Sequence, residues 1–142
     1  MSTKTLPIKV RRQLQAVATP VLKDKGAILF RSGQFCRGAF LIRSGQVKLC
    51  LEPTSSLYPA RTVGPGFVLG LPASVSGEPY SLTAQAKSKC LLGFISRRKL
   101  LNFLHRNPET GLEVLRLLSE EIFQIRKVAR RGVRGTASAP AA

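Results

Sequence analysis

From Ala27 to Ile95 the chain consists of short apolar runs, each cut off by glycine-bearing turn chemistry: "AILF" leads into "RSGQ", and "GAFLIR" into "SGQ". Such runs are too short for helices with a buried face, but they suit strands, which need only a few residues and end at turn-forming Gly, Ser, Asn or Pro. "VKLCLE", Tyr58 to Val63, "SLTAQAK" and "CLLGFI" continue the pattern. The two apolar runs flanking Ser44-Gly45 read as a hairpin, and Gly64-Pro65-Gly66 as a sharp turn. About eight strands fit into this stretch, the spacing of a small sandwich, jelly roll or barrel.

The flanks follow helical grammar instead. Residues 8–22 place Leu14, Val17 and Ala18 at helical spacing until Pro20 stops the pattern, so residues 1–26 read as an N-terminal helical segment. Ser96 is an N-cap for "RRKLLNFLHR", which ends at Asn107-Pro108 because proline disfavours helix at the residue before it. From Glu109 to about Arg130 acids come early and bases late, complementing the helix dipole at both ends. Along it Leu115, Leu118, Ile122, Ile125 and Ala129 form an a/d seam, widened at its start by Leu112, Val114 and Leu117. That seam either packs on its own domain or pairs with a second copy across a two-fold. Residues 132–142, "GVRGTASAPAA", have the composition of a disordered tail. The expectation is one mainly β domain with flanking α, its β-roll over 27–96 and its C-terminal helices over 97–131. The chain's 142 residues are enough for one core.

The net charge is +16, and it is unevenly spread. Residues 1–31 hold seven bases against one acid, 97–106 four bases and no acid, and 126–142 five bases and no acid. The excess therefore sits on the terminal, mostly helical parts. It is either a solvated face or a contact surface for nucleic acid, an anionic membrane or an acidic partner. No apolar run is long enough to cross a bilayer, and nothing at the N-terminus reads as a secretory signal. Cys36, Cys50 and Cys90 are odd in number and lack metal spacing, so they read as reduced, buried thiols of a cytoplasmic protein. His105 is the only histidine. With no second histidine, no paired carboxylates and no nucleophile–base pair, an enzyme is not expected, and neither a metal nor a cofactor is called for.

One loop stands apart. "GPGFVLGLPASVSGEPYSLTAQA", residues 64–86, has the glycines, the short proline-led turn and the hydroxyls of a phosphate cradle, yet it carries one acid and no base. Together with "KDKGAILFRSGQFCRGAFLIRSGQVKL" and the helices after it, this stretch resembles the cyclic-nucleotide-binding domain. More narrowly, it is similar to the effector half of catabolite-activator-type (Crp/Fnr) regulators, over roughly residues 10–131. The resemblance implies a double-stranded β-helix (jelly-roll β-roll), then a short helix and a long C-terminal helix through which a homodimer forms, so that 109–130 becomes the dimer helix. Ligand binding in such a domain changes how that helix docks.

The resemblance also implies a ligand site, and the match has to be made residue by residue. Family members that bind cyclic nucleotides place a Gly-Glu pair on the ribose and an Arg, just after a proline, on the cyclic phosphate. Here Gly70 keeps the glycine, but Leu71 stands at the Glu position. Pro79 keeps the proline, but Tyr80 stands at the Arg position. Ala73, Ser81 and Thr83 match small or hydroxyl positions. A phenol gives a phosphate neither charge nor a fork of donors, so conventional cAMP binding is not expected. Gly70, Leu71, Ala73, Tyr80, Ser81 and Thr83 either line a pocket for a less charged nucleotide-like molecule or fill it. A third arrangement would bring in Arg61 or Lys87 to supply the missing charge.

The family's regulators carry a helix-turn-helix domain beyond the long helix. About a dozen residues after Arg130 are too few for one, so sequence-specific DNA binding by this chain alone is not expected, though Arg126, Lys127, Arg130, Arg131 and Arg134 could still touch phosphates non-specifically. Two functional readings stand: a non-catalytic sensor or regulatory module in signal transduction, or a ligand-free scaffold whose basic ends bind nucleic acid or an acidic partner.

Overall fold

A computed structural model describes residues 7–50 and 60–116. Helix α1 (Ile8–Val17) leads into β1 (Thr19–Lys23), β2 (Ile28–Phe30), β3 (Gly38–Ser44), β4 (Val47–Cys50), β5 (Arg61–Val63) and β6 (Val68–Leu69). Helix α2 (Leu71–Ser76), β7 (Thr83–Ala86), β8 (Cys90–Ser96) and α3 (Arg97–Arg106) follow. A further helical run, α4, covers 108–116. The mainly β fold with flanking helices is that of the jelly-roll β-roll. The remainder of the expected 109–130 helix, the tail, and the seam positions Leu118, Ile122, Ile125 and Ala129 lie outside the described residues.

Two antiparallel four-stranded sheets face each other, in the orders β1-β8-β3-β6 and β2-β7-β4-β5. The central strands β8 and β3 of the first are buried on both sides, which is why β3 reads as an unbroken apolar run rather than an alternating one, whereas the edge strand β1 is largely exposed. Ile42 and Leu92 point into the space between the sheets, with Phe30, Val47, Leu49, Phe67 and Ala84. Ala39, Leu41 and Ile95 point the other way, onto Val10 and Leu14 of α1, Leu100 of α3 and Val114 of α4. The period of two in a strand thus sorts neighbouring residues into two cores separated by one sheet.

Two sequence expectations are corrected. The runs flanking Ser44-Gly45 do not form a hairpin: β3 pairs with β6 and β8, whereas β4 pairs with β5 and β7. The turn at Gly45 carries the chain from one sheet to the other. Pro20 does not simply end a helical segment either. Helix α1 stops at Val17, and Thr19–Lys23 is a strand opposite Cys90–Phe94. Proline is tolerated there because β1 is an edge strand, with no ladder to complete on its outer side. The cap at Ser96 forms as expected, its side chain accepting a hydrogen bond from the Lys99 backbone N–H at 3.3 Å.

Gly38 opens β3 where backbones crowd: a methyl group there would overlap the Ile95 carbonyl oxygen and lie 2.9 Å from the Phe94 ring. At Gly33, φ is +86° but nothing stands within 4 Å of such a group. Gly38→Ala is therefore expected to cost more than ~3 kcal/mol, because sheet backbone must move, and Gly33→Ala only ~1 kcal/mol, from backbone strain. Urea denaturation of the two variants checks this order.

Candidate functional site

The cassette begins where β6 delivers Gly70 into the left-handed region (φ +74°), a conformation that lets α2 start at once. Gly77 (φ +82°) closes α2, its N–H donating to the Ala73 carbonyl. The chain then runs through Glu78 and Pro79 to Tyr80, which is tied at both backbone atoms to the loop after β2. Its N–H donates to Gln34 O at 3.0 Å, and its carbonyl accepts from Gly33 N at 2.7 Å. This backbone frame aims the Tyr80 side chain inward.

Tyr80 is 5% exposed. Its ring stacks on Phe30 at 3.8 Å between centroids and 12° between planes. Its hydroxyl donates to the Gly38 carbonyl at 2.6 Å. A methyl group on Gly70 would lie 2.7 Å from the ring's edge, so glycine at 70 is what lets the ring lie across the start of α2. Burial, reinforced by the neighbouring Cys36 thiol, pushes the Tyr80 phenol up to about 12. It is a neutral donor at any physiological pH.

A small polar cluster sits beside the ring. Buried Ser74 donates its hydroxyl to the Gly70 carbonyl at 2.7 Å and lies 3.4 Å from the Cys36 sulfur. Cys36 and Cys90 are buried as expected, while Cys50 is only half-buried, and all three are free thiols. The carbonyl of Ser74 accepts from Arg97 Nε at 2.9 Å, fastening α2 to the first turn of α3.

The sequence-nominated residues are only partly brought together. Gly70, Ala73 and Tyr80 meet on the barrel side. Leu71 does not join them: it is buried in the other core, with α1, α3 and α4. Thr83 is buried, and its hydroxyl accepts from the Ser32 backbone N–H at 2.9 Å, while Ser81 is exposed and holds the same loop through its carbonyl. The Arg61 guanidinium lies over the Phe67 ring, 5.5 Å from its centroid, and Lys87 donates to the Thr62 hydroxyl. Sequence reasoning missed Phe30, Cys36, Ser74 and Arg97. Phe30, ending an apolar run, and Cys36, read as a buried thiol, gave a signal for burial alone, and Ser74 and Arg97 gave none. Among the described residues no group of three or more His, Cys, Asp or Glu is placed to hold a metal, and no helix is long and apolar enough to cross a membrane.

A β-roll whose glycine-capped short helix faces the barrel, with helices packed behind the same sheet, is the frame of a regulatory ligand-binding domain. The chain belongs to the cyclic nucleotide-binding domain family, whose model matches residues 21–107. Its fold is shared by the Thermus thermophilus catabolite activator protein, at 22% identity and TM-score 0.70 over 85% of this chain and 57% of that one. A protein of a cyclic-GMP-dependent signalling pathway that regulates bacterial phytopathogenesis is similar at 17% identity and TM-score 0.77, over 85% of this chain and 98% of that one. The sensor domain of the Pseudomonas aeruginosa transcriptional regulator DNR is similar at 26% identity and TM-score 0.65, over 90% of this chain and 83% of that one. No match to a curated protein was found.

The raised phenol has a consequence for stability. The unfolded chain loses the Tyr80 proton near the ordinary tyrosine value of 10.0 and the folded chain only at about 12, so between those pH values the folded state holds more protons and stability falls as pH rises. Tyr80→Phe is expected to remove that part of the alkaline slope, at most ~3 kcal/mol by pH 12. At pH 7 it should cost ~1 kcal/mol for the lost hydrogen bond. Urea titrations of both proteins from pH 8 to 12 read the difference directly.

Proposed function

We propose that this chain is a non-catalytic regulatory module in which the cyclic-nucleotide cassette serves as internal packing rather than as a grip on cAMP or cGMP. The observation that carries the reading is the Tyr80 side chain, closed onto Phe30 and the Gly38 carbonyl where a phosphate-binding Arg is expected. Leu71 supports it. At the ribose-binding position stands an apolar side chain packed among the helices. A hydrogen bond to a charged group is worth ~1.5–3 kcal/mol, and a buried charge left unpaired costs ~2–5 kcal/mol. An unpaired charge at that cost weakens a cyclic nucleotide by ~30- to ~4,000-fold. Calorimetry with cAMP and cGMP is expected to show no binding tighter than ~100 µM; dissociation constants below ~10 µM would overturn the reading.

The module passes its state on through its C-terminal helices, and it does so as a homodimer. Leu112 of α4 is 67% exposed and Leu115 is 49% exposed, while Val114 between them is buried. Helix α4 therefore packs one face on the domain and turns an apolar face outward, in line with the seam expected to continue beyond it. The three free thiols suit a reducing cytoplasm. Sedimentation at ~100 µM, a loose limit for an interface of ordinary size, should give a dimer. Leu112→Glu and Ile122→Glu should each give monomers with an unchanged β-sheet circular dichroism signal. A wild-type monomer would refute the dimer and leave the cassette reading intact.

A further inference from the structure

A second concavity lies away from the cassette, between the end of α1, the start of β1 and one face of α3. It encloses about 510 Å³. Val17, Ala18 and Phe103 line it as half-buried apolar surface, and Lys99, Asn102 and Arg106 line it as exposed polar groups. No Asp or Glu is among its lining residues. Among the described residues neither Lys99 nor Arg106 stands in an ion pair. Lys99 and Arg106 stand seven residues apart on one helix, two turns or ~10.5 Å along the axis, with Phe103 between them.

We infer that this groove is a docking site for an acidic amphipathic helix of another protein, whose carboxylates two turns apart meet Lys99 and Arg106 while an apolar side chain between them covers Phe103. Charge complementarity selects the occupant. In a chain of net charge +16, this hollow offers two cations and no carboxylate. A small molecule fits the shape less well, because such sites bury most of their ligand, whereas half of this lining is exposed. A nucleic-acid backbone would find no use for the apolar floor. The inference does not depend on what the cassette holds.

The test is fluorescence anisotropy of the full chain at moderate salt. The probe is a labelled, end-capped helical peptide with glutamates two turns apart and leucines between them. The expected result is saturable binding that weakens by at least ~10-fold when the glutamates become glutamines, and again by at least ~10-fold in Lys99→Glu/Arg106→Glu. Ala16→Glu, which puts a carboxylate on an exposed lining position, should do the same. Lys25→Glu/Arg43→Glu changes the net charge equally at exposed sites that do not line the groove and should alter affinity by less than ~2-fold. Circular dichroism confirms that each variant is folded. Equal binding of the glutamine peptide, or equal weakening by the Lys25/Arg43 pair, overturns the inference. Displacement of the peptide by an oligonucleotide at lower concentration than by unlabelled peptide assigns the groove to nucleic acid and overturns it too. A change of sedimentation state in Lys99→Glu/Arg106→Glu assigns it to a second copy, with the same effect.

Discussion

The two central strands of the sheet β1-β8-β3-β6, β8 and β3, are covered on both faces, and most of the molecule's organisation follows from that. One side closes the barrel and the other carries the helices, so the two cores are separated by a single layer of backbone. Residues one apart on β3 report to different compartments. A side chain that shifts inside the barrel must press on strands whose alternate residues hold α1, α3 and α4 in place, because close-packed interiors transmit strain rather than absorb it. The architecture is suited to converting an interior event into a movement of helices.

Helix α2 is where the two compartments are joined most directly. Residues two apart on a helix are separated by ~200°, so Leu71 enters the helical core while Ala73 enters the barrel core. Ser74 reaches Gly70 and Cys36 with its side chain and receives Arg97 of α3 on its carbonyl. A six-residue helix so anchored cannot turn about its axis without disturbing both cores and the start of α3. Gly77 makes the last contact possible: a side chain there would meet Arg97 Nη2 at 2.9 Å.

This geometry also explains how far the sequence could be read. Strand lengths, the Ser96 cap, the two glycines bounding α2 and the end of α3 at Asn107 are local properties, and local chemistry declares them. Pairing is not local. The apolar runs around Ser44-Gly45 carry the same signal whether they pair with each other or belong to facing sheets, and only the closure of the whole roll decides between these. The same holds for Pro20, whose effect depends on whether its strand lies at an edge. At the cassette, sequence comparison identified Leu71 and Tyr80 as the positions that had changed. It could not show that one faces the helices and the other the barrel, since that depends on where α2 sits against two cores at once.

The loop from 64 to 86 can remain free of Lys and Arg in so basic a chain because nothing in it needs a counter-charge. The buried hydroxyls of this loop, those of Ser74, Tyr80 and Thr83, all find partners inside the protein. An Arg at position 80 would have to be desolvated without an anion whenever the pocket was empty, at a cost of several kcal/mol. Tyr80 avoids that cost by satisfying its own donor on Gly38. The same bond makes the arrangement hard to reopen. A ligand entering the barrel would first break a hydrogen bond worth ~0.5–1.5 kcal/mol and a ring pairing worth ~0.5–1.5 kcal/mol. A free-energy difference of ~1–3 kcal/mol means the open state is ~5- to 150-fold less populated than the closed one, and any ligand's affinity falls by that factor before its own contacts count. The closed site is satisfied without a ligand, so on the proposed reading a signal that shifts the helices would act on them from outside the barrel or bind tightly enough to displace the tyrosine.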